Sequence, residues 1–282
     1  MNYQDKLLSF IFKSHAIRGA FIQMNQSYQA ILDRHPYPEK IKNILGETLA
    51  ISVLLGASIK YEGHLTLQVR TDGPLTLLVA QCNNHLQVRG LAQWQGEIAN
   101  MAFSSLLGKG KLVMTVTPKD KQQYQSIIPL TKGNLANSVS SYFQQSEQLP
   151  TAIILKTDEN VVKGILLQAM PNNNFESDTN ELLAALYRIP GEDVLTLSHE
   201  KLLEKYFPNE EIEFLNSRPI SFNCSCSVPR MERALLTYDT KEIQQILKTD
   251  KEITVTCEFC NYSYHFDAAD YARILAEGPK LH

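Results

Sequence analysis

Two rhythms of apolar residues organise the first 170 positions. Alternation with period two runs through His64-Leu-Thr-Leu-Gln-Val-Arg70 and stops at the turn residues Thr71-Asp-Gly-Pro74. Leu75 to Gln81, a turn at Asn83-Asn84 and Leu86 to Leu91 continue the series, which predicts an antiparallel meander. Ala16 to Met24, Thr151 to Lys156 and Val162 to Met170 also read as strands, and Lys111 to Thr117 with Ser126 to Leu130 as a hairpin. A helical rhythm takes over from Pro38 to Ile59. There Ile41, Ile44, Leu45, Thr48, Leu49, Ser52 and Leu55 share one spacing, and Pro38 suits a first turn. Leu135 to Phe143 returns to helix, and Tyr3 to Phe12 holds a short apolar element.

The pattern then changes. Pro171-Asn-Asn-Asn174 through Asp178 is polar and turn-rich, a boundary signal. Two helical stretches follow, Glu181 to Arg188 and Ser198 to Tyr206, broken by Pro190-Gly191. Acidic residues crowd Glu204 to Glu213, and few apolar anchors are visible for the length. Beyond about Pro219, helical runs at Met231 to Leu236 and Lys241 to Lys248 precede strands at Ile253 to Thr256 and Tyr262 to Phe266. No internal repeat is present. The expected architecture is α+β: a mixed α/β core at residues 1–175 with an antiparallel sheet, a helical, weakly anchored linker at 176–218, and a small C-terminal module at 219–282.

The 282 residues carry a net charge of −3 and are 44% hydrophobic. That balance allows a sizeable core and argues against a polyanion-binding protein. The opening Met1-Asn-Tyr-Gln-Asp-Lys6 lacks the basic start and apolar run of a secretory signal. The longest nearly apolar stretch, Leu49 to Ile59, is short of the roughly 20 residues that span a bilayer. A soluble cytoplasmic protein is expected, where clustered cysteines serve metal or redox chemistry more often than permanent disulfides.

Four of the five cysteines form two tight pairs, Cys224-Ser-Cys226 and Cys257-Glu-Phe-Cys260, with 30 residues between them. C-x-x-C lets the chain turn around an ion; C-x-C is a tighter chelate. Two chelating pairs of soft thiolates predict one tetrahedral site, with Zn²⁺ as its usual occupant. Two local disulfides are the other outcome for the same residues. A module of about 50 residues buries little surface and should lean on its metal. Structural zinc contributes roughly 10–16 kcal/mol of apparent binding free energy in small fingers, against net domain stabilities of about 5–15 kcal/mol. Losing the ion should therefore unfold the module, and oxidising the thiolates removes its ligands in one event. His265 is a candidate fifth ligand by proximity, but its alternation with Tyr264 and Phe266 places it toward solvent or a neighbouring partner. Cys82 ends an apolar strand and reads as an ordinary buried residue.

Other chemistries find little support. A zinc-ribbon nucleic-acid binder needs a basic face. From Ser221 to Asp270 there are five basic residues against eight acidic ones. Gly108-Lys-Gly110 is too short for a P-loop, and no Gly-x-Ser-x-Gly or H-E-x-x-H occurs. A thiol–disulfide oxidoreductase could use Cys257 and Cys260, but aromatic strand residues follow Cys260 where such enzymes place a helix.

His15-Ala-Ile-Arg-Gly19, Tyr37-Pro38, Leu45-Gly46-Glu47, Asp72-Gly73-Pro74, Arg89-Gly90, Gln95-Gly96-Glu97, Ser146-Glu-Gln-Leu-Pro150, Leu167-Gln-Ala-Met-Pro171, Phe222-Asn-Cys-Ser-Cys226, and Cys257-Glu-Phe-Cys260 with Tyr264-His-Phe266 together carry a resemblance. On these residues the chain resembles the redox-regulated 33 kDa chaperonin family. The resemblance implies an ATP-independent holdase chaperone that is not an enzyme. Cys224, Cys226, Cys257 and Cys260 would hold one Zn²⁺ in the reduced, inactive form. Oxidation would convert them to Cys224–Cys226 and Cys257–Cys260 disulfides, expel zinc and unfold the linker. The active form would be a homodimer through the N-terminal domain, binding unfolded client proteins, with no membrane or nucleic-acid partner.

Overall fold

The alternating runs become strands of three sheets in the computed structural model, which describes residues 5–57, 62–130, 133–170 and 177–278. In chain order the elements begin β1 (Lys6–Phe12), β2 (Ile17–Met24), α1 (Gln26–Leu32), α2 (Glu39–Gly56), β3 (Gly63–Arg70), β4 (Leu75–Asn83), β5 (Gln87–Trp94), α3 (Phe103–Leu107), β6 (Lys111–Pro118) and β7 (Tyr124–Pro129). They continue with α4 (Leu135–Gln145), β8 (Thr151–Thr157), β9 (Val162–Ala169), α5 (Ser177–Leu186), α6 (Gly191–Thr196), α7 (His199–Tyr206), β10 (Ile212–Pro219) and β11 (Ser221–Phe222). The last are α8 (Val228–Leu235), α9 (Thr240–Asp250), β12 (Glu252–Thr256), β13 (Ser263–Asp267) and α10 (Ala268–Glu277). Tyr3, the end of the expected helix at Ser58 and Ile59, and the expected boundary at Pro171 to Asn174 lie outside the described residues.

Contacts divide the chain into two bodies, one up to Asn223 and one from Cys224. In the first body a five-stranded antiparallel sheet has the order β10-β1-β2-β9-β8. A six-stranded sheet has the order β11-β5-β4-β3-β6-β7. Its meander β3-β4-β5 and hairpin β6-β7 are those expected, and β11 adds in parallel to β5. Helix α2 contacts strands of both sheets. Its polar residues Glu39, Lys40, Lys42 and Asn43 lie in the first turns, and from Thr48 to Gly56 it is buried on every side, with Ile41, Leu45, Leu49 and Ile51 fully covered.

The five-stranded sheet is covered on both faces. Ala20, Ile22 and Met24 of β2 join the core around α2, whereas Ile17 and Phe21 face the other way. On that second face Leu183, Leu186, Val194, Leu202, Leu203 and Phe207 from α5 to α7 pack against Phe10, Phe12, Ile165 and Leu167. The stretch that reads as poorly anchored thus buries an apolar stripe of its own. The amphipathic spacing of short helices hides that stripe among acidic residues. Its C-terminal part, β10, is a strand and not a helix; it pairs with β1 along the sheet edge and leaves Phe214 and Leu215 exposed.

The second body is small. Leu235, Ile243, Ile253, Phe266, Tyr271 and Ile274 form its core. Glu232, fully buried on α8, accepts from Arg273 Nη2 on α10 at 2.6 Å. Helix α10 opens with a capping box, Asp267 accepting from the Asp270 backbone and Asp270 from that of Asp267.

Candidate metal centre

The first pair of cysteines lies on irregular backbone just before α8, whose N-terminus Ser227-Val228-Pro229 suits a helix start. The second pair lies at the tip of the β12–β13 hairpin. There Cys257 N–H donates to Tyr262 O at 2.9 Å and Asn261 N–H to Cys257 O at 2.8 Å. Asn261 takes φ +59°, a left-handed position that asparagine tolerates, and so turns the chain back after Cys260. This tight loop lets the amides of Phe259 and Cys260 donate to the Cys257 sulfur, and that of Tyr262 to Cys260.

The four sulfurs converge. All lie within 4.8 Å of one another. Cys224 Sγ is 3.7 Å from Cys257 Sγ, and Cys226 Sγ is 3.4 Å from Cys260 Sγ. A tetrahedral ion with metal–sulfur distances of about 2.3 Å requires sulfur separations of about 3.8 Å, so the cluster fits one ion. All five cysteines are free thiols. Cys257 and Cys260 are buried, whereas Cys224 and Cys226 are half-buried.

Electrostatics point the same way. Burial raises the Cys257 thiol above its ordinary value, and the neighbouring Cys224 adds to the rise against the pull of the loop amides. Burial pushes Cys260 up to about 12, with the other three sulfurs reinforcing the shift. Four thiolates this close repel one another, and a divalent cation relieves that repulsion. The four cysteines can therefore hold a metal ion.

Two neighbours complete the picture. Tyr264 O–H donates to Cys226 Sγ at 3.2 Å, and this hydrogen bond holds the tyrosine pKa high. Sequence reading took Tyr264 only as a strand aromatic. The signal was in the alternation: Tyr264 shares its side of the strand with the buried Phe266, opposite His265. His265 itself is exposed, with Nδ1 2.7 Å from Glu252 Oε1, outside the sulfur cluster. Cys82 is fully buried in the first body, its thiol pushed up to about 12 by burial.

A sequence profile described as Hsp33 protein matches residues 5–267. The chain belongs to the Hsp33 family. The 33 kDa chaperonin of Nitrosococcus oceani is 37% identical over 281 residues, covering 99% of this chain and 97% of the relative. That of Shewanella oneidensis is 38% identical over 277 residues, covering 98% and 97%. The crystal structure of the 33 kDa chaperonin (heat shock protein 33 homolog) from Thermotoga maritima matches with a TM-score of 0.83 at 21% identity, covering 96% of this chain and 98% of that one. It shows the shared fold. Hsp33 membership supports a chaperone function, and chaperonins are generally not enzymes. Among the described residues no helix is long and apolar enough to cross a membrane.

Proposed function

We propose that the chain is a cytoplasmic, ATP-independent holdase that oxidation switches on and that binds unfolding client proteins to keep them from aggregating. In the reduced form Cys224, Cys226, Cys257 and Cys260 hold one Zn²⁺ as thiolates. The ion, when bound, supplies charge compensation and cross-links the two cysteine loops. Cys224 pairs with Cys226 and Cys257 with Cys260 on oxidation. As its S–S bond forms, each thiolate pair gives two electrons to hydrogen peroxide, which takes two protons from solvent and leaves as two waters, or to hypochlorous acid, which takes one proton and leaves as chloride and water. No thiolate donor then remains.

The observation that supports this reading is the convergence of four sulfurs in a body whose core, among the described residues, has six buried apolar side chains. A core of that size depends on its cross-link. Only Pro219 to Asn223 separates this body along the chain from the linker at 176–218. When the linker leaves the sheet, Phe10, Phe12, Phe21, Ile165 and Leu167 become available to clients. In this reading the oxidised form is a homodimer through the N-terminal domain.

The test is a client assay. Oxidised protein should suppress light scattering by a chemically denatured client without ATP, and reduced protein should not. Unchanged scattering with fully oxidised protein would refute the holdase.

A further inference from the structure

A cavity of about 420 Å³ lies between the five-stranded sheet and the α6–α7 segment. That volume falls within the ~300–1,000 Å³ range of small-molecule sites. Phe21 and Ile165 form its sheet side; Val194 and Leu202 face them. Its charged lining has one sign: Lys6 on β1, Lys163 on β9 and Lys201 on α7, and among the described residues no carboxylate lines it. In a chain of net charge −3 this is a local concentration of positive charge.

Lys201 is exposed, whereas Lys6 is half-buried. Lys163 is half-buried, and burial lowers its pKa. Its ammonium donates to Leu195 O at 2.6 Å, which ties the sheet to the end of α6. His199 stands over the Phe21 ring at 5.6 Å between centroids. Burial lowers the His199 pKa; Glu200 opposes the shift, and the charges of Lys6 and Lys163 add to it. The N-terminus of α7 opens beside these groups, with Ser198 as its cap, and adds the positive end of a helix dipole.

We propose that this cavity binds a small amphiphilic monocarboxylate, with the carboxylate among Lys6, Lys163 and Lys201 and the hydrocarbon body against Phe21, Ile165, Val194 and Leu202. A bare inorganic anion would leave the apolar walls uncovered, and a neutral hydrocarbon would bring no charge to complement the three lysines. The walls come from two layers, the sheet and the α6–α7 segment. A ligand bound between them stabilises the docked segment by mass action. This inference rests on the fold alone and stands or falls apart from the holdase reading.

The test titrates the reduced full-length protein with octanoate, octan-1-ol and inorganic phosphate by calorimetry, and follows amide exchange in α6 and α7. Octanoate should bind once per chain, at least about tenfold more tightly than either control, and should slow exchange in α6 and α7. Lys6→Gln with Lys201→Gln should weaken octanoate about tenfold with an unchanged thermal midpoint. Absence of octanoate binding and of exchange protection at millimolar concentrations would overturn the proposal. So would octanol or phosphate binding as tightly as octanoate, or unaltered octanoate affinity in the folded double variant.

Discussion

Gly19 lies against the Phe10 ring so closely that a Cβ there would sit 2.1 Å from ring carbon Cζ. Phe10 stacks on Phe21 with centroids 4.9 Å apart, so the ring has little freedom to retreat. Gly19→Ala should destabilise the first body by ~1–3 kcal/mol, read as a lower urea midpoint at unchanged slope. Glu47 on α2 gives a pH prediction. Burial lifts its carboxyl to about 7, against the opposing charge of Lys156. A carboxyl whose folded pKa lies above its unfolded value holds its proton longer when folded. Its contribution is complete below about pH 4.5 and is lost as pH rises through 7. Glu47→Gln should therefore raise stability at pH 8 by about 1–3 kcal/mol, with a smaller gain at pH 5, measured by urea unfolding at both values. At the cluster, Cys257→Ser leaves three sulfur donors. The reduced variant should carry less than one metal per chain and show an earlier unfolding transition; wild-type metal content would remove Cys257 from the ligand set. The four cysteines were legible in the sequence because their spacing is itself the chelating geometry. For Tyr264 the alternation gives only its side of β13, shared with Phe266; its hydrogen bond to Cys226 depends on how β13 meets the distant first cysteine loop.

At the scale of elements, legibility follows the strength of the pattern. Helix α2 and the strands β3 to β6 were readable within a few residues, since α2 is apolar on a helical spacing and the strands alternate cleanly. Leu86 was taken as the start of a strand but sits at φ +56° in the turn before β5. Edge strand β10 was missed because its outer residues are exposed and carry no alternation. Helix α10 was missed although Asp267 and Asp270 spell its capping box, because the reading of the module ended at Phe266. The sequence predicts α5 and α7 but reads Pro190-Gly191 as a break where α6 begins, and it does not show the docking: six apolar residues spread over α5 to Phe207 show no face until they fold onto the sheet. Phe207 is the anchor to probe. It is buried and meets Phe12 edge to face at 5.4 Å. Phe207→Ala should cost ~3–5 kcal/mol and speed proteolytic cleavage within 177–218 in the reduced protein. Unaltered cleavage would mean that α7 is held by something other than this face.

The whole molecule combines a small body whose four cysteines can hold a metal ion with an amphipathic segment docked on the sheet of the other body. Among the described residues the second body has few buried apolar side chains and a part-buried ion pair, Arg273 to Glu232, so under the proposed function its fold should follow the state of the four sulfurs. The apolar stripe of α5 to α7 covers the aromatic face of the sheet, so its release, as the proposed function requires, would turn a core into a surface. The central claim is that the two events are one switch. The most direct measurement treats reduced protein with peroxide under mild heating, withdraws samples over time, and reads released zinc with a chromogenic chelator and client light scattering in each sample. The account predicts one zinc released per chain and holdase activity rising in step with its release. Activity at full strength with zinc retained, or complete release of zinc with no gain in activity, would contradict it.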